Sequence, residues 1–377
     1  MTVFKSLLAL SFAFAITAQA ASPVPSAPQI EARAWLLIDV NSGQSLAENI
    51  PDSRVEPASL TKLMTAYLSF AAIKEGRLAP DQALSVSEKA WKAEGSRMFL
   101  DPRSPAKVDD LLKGMIVQSG NDACITLAEA IAGTEEGFVE MMNQQAKRLG
   151  MAGSHFVNAT GLPHPQHYTT ARDLSRLAMA LIRDFPEYYT YYSIKEFSYA
   201  NITQPNRNRL LWMDPNVDGV KTGHTDSAGY CLIASARRDN RRLLSVVLGT
   251  GSDTARAAES QKLLNYGFQF FETVKLYRAN QPVATLRLYK GTSSEVQAGF
   301  ARDFYVTVPR GASKRLQAQV LSKQPMLAPV EKGQGVATLR LSLDGKPAGD
   351  FSLQALTGVG TSGMIRRAWD SLMLMLD

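Results

Sequence analysis

The sequence predicts an α/β (α+β) domain with an antiparallel sheet and helices, followed by a small all-β domain and a C-terminal amphipathic helix. Helical and strand patterns mix between residues 29 and 275, and the clearest strands are joined by short turns, which is typical of an antiparallel sheet. Short apolar stretches separated by turn residues fill residues 276–361, and apolar residues at helical spacing follow in residues 362–377. A chain of 377 residues suits two domains.

Residues 1–20 have the pattern of a signal peptide. Lys5 supplies a positive charge, residues 6–17 are apolar but too few to span a bilayer, and Ala18-Gln19-Ala20 is a small-x-small cleavage site. We therefore expect cleavage after Ala20 and export from the cytoplasm. The alternative is a retained N-terminal anchor, which the small residues and prolines of residues 21–25 disfavour.

In the first domain, hydrophobic periodicity and turn signals predict the elements in order. Residues 34–40 are typical of a buried strand, and the turn at Asn41-Ser42-Gly43 returns the chain as a hairpin partner over residues 44–47. Helices are predicted between Pro57 and Gly76 and over residues 108–117, 121–132, 170–183 and 259–271. Residues 217–248 are predicted to be strands, with a hairpin turn at Arg238-Asp239-Asn240.

The second domain shows strand patterns but no chemistry. Strands are predicted at residues 283–288, 304–308, 316–321, 336–343 and 351–355, without a nucleophile or ligand cluster, so we expect a structural or spacer role.

The last segment has two distinct faces. One face carries Met364, Ile365, Trp369, Leu372, Met373 and Leu376, and the other carries Arg366, Arg367 and Asp370. Such a helix can lie in a membrane interface, and the alternatives are packing on its own β domain or a frayed tail.

Charge and residue counts exclude several function classes. The formal net charge of +6 comes without a dense basic run, which argues against nucleic-acid binding. This charge suits anionic membranes or an anionic wall polymer, and serves equally as solubility charge. The four histidines do not cluster with cysteines, so we expect neither a metal site nor a cofactor. The two cysteines, Cys124 and Cys231, leave a disulfide open.

The first candidate motif is Ser59-Leu60-Thr61-Lys62 at the start of a predicted helix. Side chains three residues apart on a helix lie on the same face, one turn apart. A serine needs an adjacent base to become a nucleophile, and a lysine serves if its pKa is lowered by burial or a neighbouring cation. Alone, Ser-x-x-Lys is common by chance and also fits an ordinary helix start.

The second candidate motif is Ser119-Gly120-Asn121, which separates two apolar helices. In this chemistry Ser119 would relay a proton, and Asn121 would bind a substrate amide. Alone, it also fits a plain turn with Asn121 as helix cap.

The third motif, Lys221-Thr222-Gly223, begins an apolar strand. Lys221 and Thr222 would bind a substrate carboxylate, and Gly223 leaves room for substrate along the strand edge. The backbone N–H groups of His224 and Ser59 would form an oxyanion hole. Alone, this motif also fits a solvated strand end.

Together the three motifs form the signature of β-lactamases and penicillin-binding proteins. The chain resembles the low-molecular-mass penicillin-binding proteins of the D-alanyl-D-alanine carboxypeptidase type (peptidase S11). The similarity extends through residues 57–64, 119–123, 158–162 and 217–225.

The resemblance implies a serine β-lactamase/transpeptidase-like catalytic domain. It also implies a periplasmic location at the outer face of the inner membrane, removal of the terminal D-alanine from peptidoglycan pentapeptide stems, and covalent inhibition by β-lactams.

The resemblance also implies roles for two arginines. Arg207 resembles an arginine lining the family's cleft, and Arg256 resembles the one associated with the substrate's terminal carboxylate; each could instead be a surface salt-bridge residue. Some relatives have histidine where this chain has Thr160, so the part that this loop plays in deacylation stays open.

Three other functions share these motifs. A β-lactamase of the common class would need a Glu-x-x-Leu-Asn loop, which the residues after Glu187 do not provide. A cross-link endopeptidase differs only in substrate. A catalytically silent wall-binding protein is disfavoured by the intact Ser59, Lys62, Ser119, Asn121 and Lys221.

Overall fold

The structure is a computed structural model that describes residues 24–376. The predicted signal peptide lies outside these residues. The strands are β1 (Ala34–Asp39), β2 (Ser45–Asn49), β3 (Ala83–Leu84), β4 (Ala106–Lys107), β5 (Glu196–Tyr199), β6 (Ile202–Pro205), β7 (Val217–Thr225), β8 (Gly229–Arg238), β9 (Arg241–Thr250), β10 (Phe271–Tyr277), β11 (Pro282–Arg287), β12 (Glu295–Gly299), β13 (Phe304–Pro309), β14 (Leu316–Leu321), β15 (Gly335–Leu343) and β16 (Lys346–Ala355).

The α-helices are α1 (Lys62–Lys74), α2 (Glu88–Trp91), α3 (Val108–Lys113), α4 (Asn121–Ala132), α5 (Glu135–Arg148), α6 (Ala171–Asp184), α7 (Pro186–Tyr189), α8 (Leu210–Met213), α9 (Asp253–Phe270) and α10 (Met364–Leu376). A 3₁₀ turn (Ala58–Thr61) leads into α1, and a π-helical segment (Gly114–Gln118) continues α3. Two further 3₁₀ turns lie at Thr190–Ser193 and Ser313–Arg315.

The first domain is built on one antiparallel sheet with the strand order β2-β1-β9-β8-β7. One face of the sheet carries the larger apolar core, which includes buried side chains from α1, α4 and α6, and α9 covers the other face. All six residues of β1 are buried, because the strand is covered on both faces. The strand β7 lies at the edge of the sheet, so it has one side free for another strand.

Most predicted elements lie where hydrophobic periodicity places them, with differences at their ends. The predicted helix over residues 108–117 is α3 followed by the π-helical segment. The helix predicted from residue 259 begins six residues earlier, at Asp253, because the Ser252 side chain caps it by accepting from Ala255 N. The helix α5, the hairpin β5–β6 and the strand β12 were not predicted from the sequence.

The second domain is all-β, with a five-stranded antiparallel sheet ordered β11-β12-β16-β15-β14 and the pair β10–β13 around its own apolar core. The strand β10 follows α9 directly and crosses the boundary expected at residue 275. Polar contacts join the two domains: Ser42 Oγ lies 2.7 Å from Thr307 Oγ1, and Arg310 donates to the Gln269 carbonyl at the end of α9. A cation suits that position, since the carbonyl end of a helix is its negative pole.

The C-terminal helix α10 contacts the β domain by only part of its surface. The Asp370 carboxylate accepts from Lys290 N, while Met364 and Ile365 are 86% and 90% exposed and Trp369 is 63% exposed. Within residues 24–376, no helix is long and apolar enough to cross a bilayer.

Candidate active site

Ser59 and Lys62 lie one turn apart at the start of the first long helix. The Lys62 Nζ atom is 3.1 Å from Ser59 Oγ, which is hydrogen-bonding distance. The turn is strained, because Ala58 has a φ of +47°, a value that side-chain-bearing residues avoid. Gly161 presses against this turn so closely that a Cβ there would lie 1.8 Å from Ala58 O. The turn that carries Ser59 is therefore packed tightly against the backbone at Gly161.

The Lys62 amine is buried, and its side chain reaches two oxygen atoms. Besides Ser59 Oγ, the amine donates to Thr160 O at 2.5 Å. Burial lowers the pKa of Lys62, and the positive charge of Arg207 adds to that effect. An amine with a lowered pKa can lose its proton and accept one from the serine hydroxyl.

The loop that supplies Thr160 O is fixed by one asparagine. The Asn158 Oδ1 atom accepts from Thr160 N, Thr160 Oγ1 and Gly161 N, the last at 2.7 Å. The contact with Lys62 is made by the backbone carbonyl of Thr160 and not by its side chain. Because any residue offers that carbonyl, residue identity carries no signal for it.

The second motif brings two unpaired polar atoms into the site. Ser119 has a φ of +69° at the end of the π-helical segment. Its Oγ atom is buried and has no hydrogen-bond partner within residues 24–376. The Asn121 side chain donates to Glu94 O at 2.6 Å, while its buried Oδ1 atom has no hydrogen-bond partner among the described residues. Buried polar atoms are normally paired, so both atoms are suited to receive a substrate group.

The third motif lies against the first along the edge strand β7. A Cβ at Gly223 would lie 3.2 Å from Pro57 O and 3.4 Å from Ala58 Cβ, so a glycine allows the strand and the serine turn to approach. Thr222 is buried, and the exposed His224 ring lies 4.0 Å from the Tyr230 ring. The first and third motifs therefore lie side by side.

Lys221 is buried, and its amine donates to Thr222 O at 3.1 Å. Burial lowers the pKa of Lys221 well below its usual range, and the charges of Lys62, Arg207 and Arg256 act in the same direction. Burial is the first cause for both amines, and the cation that adds to it at Lys62 is Arg207.

The two arginines meet beside the third motif. Arg256 is 7% exposed and donates to Gly223 O at 3.2 Å and to Arg207 O at 3.5 Å. Arg207 is exposed, and neither guanidinium forms an ion pair in the described part of the chain. Burial lowers the pKa of Arg256, and the Asp253 carboxylate, which acts in the opposite direction, pairs with Arg209 instead. Arg256 is thus a buried cation without an ion-pair partner among these residues, which is the arrangement that an anionic ligand completes.

Both cysteines are buried free thiols, and neither contributes a disulfide. Burial raises the pKa of Cys124 to about 12 and that of Cys231 to about 11. Their ordinary role is therefore packing rather than nucleophilic chemistry.

The fold and the three motifs define the penicillin-binding class of serine enzymes. A family model described as D-alanyl-D-alanine carboxypeptidase matches residues 20–252, and one described as penicillin-binding protein 5, C-terminal domain, matches residues 271–361. The chain is 44% identical to the D-alanyl-D-alanine carboxypeptidase DacC of Escherichia coli, over 99% of this chain and 97% of the relative. The chain therefore belongs to the D-alanyl-D-alanine carboxypeptidase family, peptidase S11.

Two solved structures agree with this assignment. Penicillin-binding protein 5 from Haemophilus influenzae has a TM-score of 0.85 and 41% identity, covering 89% of this chain and 99% of that one. Penicillin-binding protein D2 from Listeria monocytogenes, in its ampicillin bound form, has a TM-score of 0.57 and 33% identity, covering 65% of this chain and 100% of that one. The predicted fold class, family and carboxypeptidase activity are confirmed.

Proposed function

We propose that the chain removes the terminal D-alanine of peptidoglycan pentapeptide stems with Ser59 as nucleophile and Lys62 as general base. The observation that carries this proposal is the 3.1 Å contact between Ser59 Oγ and a buried lysine amine whose pKa is lowered. A base must lie within hydrogen-bonding reach of the proton that it removes and must be neutral when it does so.

In the acylation step, Lys62 takes the hydroxyl proton while Ser59 Oγ attacks the carbonyl of the penultimate D-alanine. The backbone N–H groups of Ser59 and His224 stabilise the oxyanion that forms. The C–N bond to the terminal D-alanine then breaks, and that amine leaves with a proton passed on through Ser119. The unpaired Ser119 Oγ supports this role, because a proton relay needs a hydroxyl free to accept and donate.

Substrate binding uses the free edge of β7 and the cations beside it. The peptide lies along the strand edge as an added strand, with Asn121 Oδ1 accepting from a substrate amide. The terminal carboxylate is bound by Lys221, Thr222 and Arg256, with Arg207 at the mouth of the cleft. Because Arg256 is buried without a counter-ion, a carboxylate there relieves the cost of its burial.

Deacylation regenerates the enzyme. Water attacks the acyl carbonyl after losing a proton to Lys62, and Ser59 Oγ leaves with that proton. The hydrogen bond to Thr160 O keeps the lysine amine at the ester through both steps. β-Lactams acylate the same serine. Their adducts persist because the deacylating water does not hydrolyse them as it hydrolyses the peptide ester.

The test is mass spectrometry after incubation with penicillin, combined with release of D-alanine from a pentapeptide. We expect Ser59→Ala to lose both the adduct and the release, whereas Ser104→Ala, on an exposed loop serine, keeps both. In the wild type the adduct should map to the tryptic peptide containing Ser59. An adduct that persists in Ser59→Ala would reject this serine as the nucleophile.

We propose further that the protein is exported and acts in the periplasm, with α10 contacting the inner membrane. The exposed apolar residues Met364, Ile365 and Trp369 support this, because they lie together on a helix with basic residues at its other face. The contact would be peripheral and reversible, since α10 has only 13 residues.

Vesicle co-sedimentation tests the membrane contact. We expect Ile365→Ser with Trp369→Ser to release the protein from vesicles rich in anionic lipid. The control, Leu327→Ser, changes an exposed apolar residue of the β domain and should leave binding intact. Equal binding of all three proteins would show that α10 is not the contact.

A further inference from the structure

A cavity of about 540 Å³ lies beside the second motif, and its walls combine exposed aromatic rings with arginines. It is lined by Trp91, Arg97, Phe99, Leu100, Asp101 and Arg103, together with Asp122. Trp91 and Phe99 are 44% and 46% exposed, which is unusual for large apolar side chains on one small surface. Its volume is in the range of ligand sites, and no step of the proposed mechanism uses it.

The cavity wall is tied directly to the Ser-Gly-Asn motif. Asn121 donates from its backbone to Ser96 O at 2.7 Å and from its side chain to Glu94 O at 2.6 Å. Gly120 is also in contact, because a Cβ there would lie 3.2 Å from Met98 N. Asp122 lines the cavity and follows Asn121 directly, so the cavity lies one residue along the chain from the residue that we assign to the substrate amide.

The exposed Phe99 ring is held in place at a cost in backbone strain. Phe99 has a φ of +66°, which is rare for an aromatic residue. The Asp122 carboxylate accepts from the backbone N–H groups on either side, Met98 N at 3.0 Å and Leu100 N at 3.1 Å. These two bonds fix the strained conformation, and the ring they position projects into solvent rather than into the core. Strain that serves no packing is typical of a binding position.

The two arginines of the cavity differ in their pairing. Arg103 forms two hydrogen bonds with the Asp101 carboxylate, at 3.0 and 2.8 Å. Arg97 has its guanidinium 5.6 Å from the Phe99 ring centroid and no carboxylate partner among the residues described. The Asp122 carboxylate also lines the cavity, but its two oxygens already accept from backbone N–H groups. Arg97 thus offers a cation without an ion-pair partner beside an aromatic wall, which suits a ligand with both a carboxylate and an apolar chain.

We propose that this cavity binds the acidic part of the stem peptide upstream of the scissile bond, with Arg97 pairing with its carboxylate and Phe99 covering its carbon chain. The inference rests on the proposed function, since it takes Asn121 as the amide-binding residue. The three stem residues that precede the penultimate D-alanine extend about 10 Å before the sugar begins. Because the cavity starts at Asp122, next to Asn121, the peptide reaches it before the glycan does.

The experiment compares three soluble substrates: a pentapeptide with a free α-carboxylate on its second residue, the same peptide with that carboxylate amidated, and diacetyl-L-lysyl-D-alanyl-D-alanine. We expect Arg97→Gln to lower kcat/KM about fivefold or more on the acidic pentapeptide and less than about twofold on the other two. Amidation should cost the wild type about as much as the substitution does. The control, Arg77→Gln, removes an exposed arginine paired with Glu75 and should change nothing.

Phe99→Gly separates binding from folding. Glycine accepts a φ of +66°, so this variant should keep or raise the melting temperature while kcat/KM on the acidic pentapeptide falls. Equal losses of Arg97→Gln on the acidic and amidated peptides, or no loss on any substrate, would overturn the assignment. A fourth, muramyl-linked pentapeptide tests the glycan: a loss on that substrate without a loss on the acidic pentapeptide would also overturn the assignment, by giving the cavity to the glycan. Penicillin labelling of Arg97→Gln should persist, so failure here is distinct from failure of Ser59 as nucleophile.

Discussion

Replacing Gly161 by alanine should disturb the active site through packing alone. A Cβ at this position would lie 1.8 Å from Ala58 O and 2.8 Å from Thr61 Oγ1, and the residue has a φ of +87°. The first neighbour is backbone and cannot rotate away. Either the loop that carries Thr160 O or the turn that carries Ser59 must therefore move.

The expected loss of stability has two parts. Placing a Cβ at a positive φ costs about 1–2 kcal/mol. Overpacking a tightly packed site costs about 1–3 kcal/mol more. We therefore expect Gly161→Ala to lower the free energy of unfolding by about 2–5 kcal/mol, together with a loss of penicillin acylation, because the Lys62 amine loses its fixed distance to Ser59 Oγ.

Gly150→Ala is the matched control. Gly150 has a φ of +70°, but a Cβ there meets nothing within 4 Å, so only the conformational cost of about 1–2 kcal/mol applies. Urea denaturation gives the stabilities, and the rate of fluorescent penicillin labelling gives the acylation. If Gly161→Ala loses no more stability than Gly150→Ala and is labelled at the wild-type rate, then the loop at Gly161 and the turn at Ala58 are not packed as closely as the structure places them.

Three further outcomes follow from burial. Burial lowers the pKa of Lys62 in the folded protein below 10.5, the ordinary value for a lysine. At a pH between these two values the unfolded chain binds more protons than the folded protein, so the free energy of unfolding rises with pH. Lys62→Met should reduce this slope in urea titrations at stepped pH, and an unchanged slope would contradict the burial of the amine. Cys124 and Cys231 should resist Ellman's reagent at pH 8 in the native protein, and both should react after denaturation without reductant; fewer than two thiols would reveal a disulfide. Asp122→Asn should cost about 2–3 kcal/mol, because an amide cannot accept all three backbone N–H bonds, whereas the exposed Asp81→Asn should cost almost nothing by the same assay.

The motifs could be predicted because their chemistry depends on residue type at fixed spacing. Ser59 and Lys62 needed only helical geometry to share a face, and the hairpin signals around residues 238–240 were enough to predict an antiparallel sheet. The order of strands within that sheet did not follow from the sequence. Pairing of β1 with β9 joins segments about two hundred residues apart, and no local pattern encodes that choice.

The supporting contacts of the site could not be predicted, because most are made by backbone atoms. Lys62 and Asn121, to which we assign catalysis and binding, contact the carbonyl oxygens of Thr160, Glu94 and Ser96, yet a carbonyl is present at every position. The strained backbone at Ala58 and Phe99 could not be predicted either, since neither residue type is usual at a positive φ. One signal was available for Gly161, because a glycine within a family motif often marks a positive φ or a close approach.

The protonation of the cleft depends on the substrate as well as on the fold. Lys221 and Arg256 are buried and form no ion pair with a carboxylate among the described residues. In the free site, protonation of Lys221 is therefore unfavourable. In the proposed mechanism, a substrate carboxylate beside Lys221 adds negative charge and raises the pKa of that amine. The proton then resides on Lys221, and its charge opposes protonation of Lys62. On this proposal the bound substrate helps to keep Lys62 neutral, and a molecule without that carboxylate should acylate Ser59 slowly even when it otherwise fits the site.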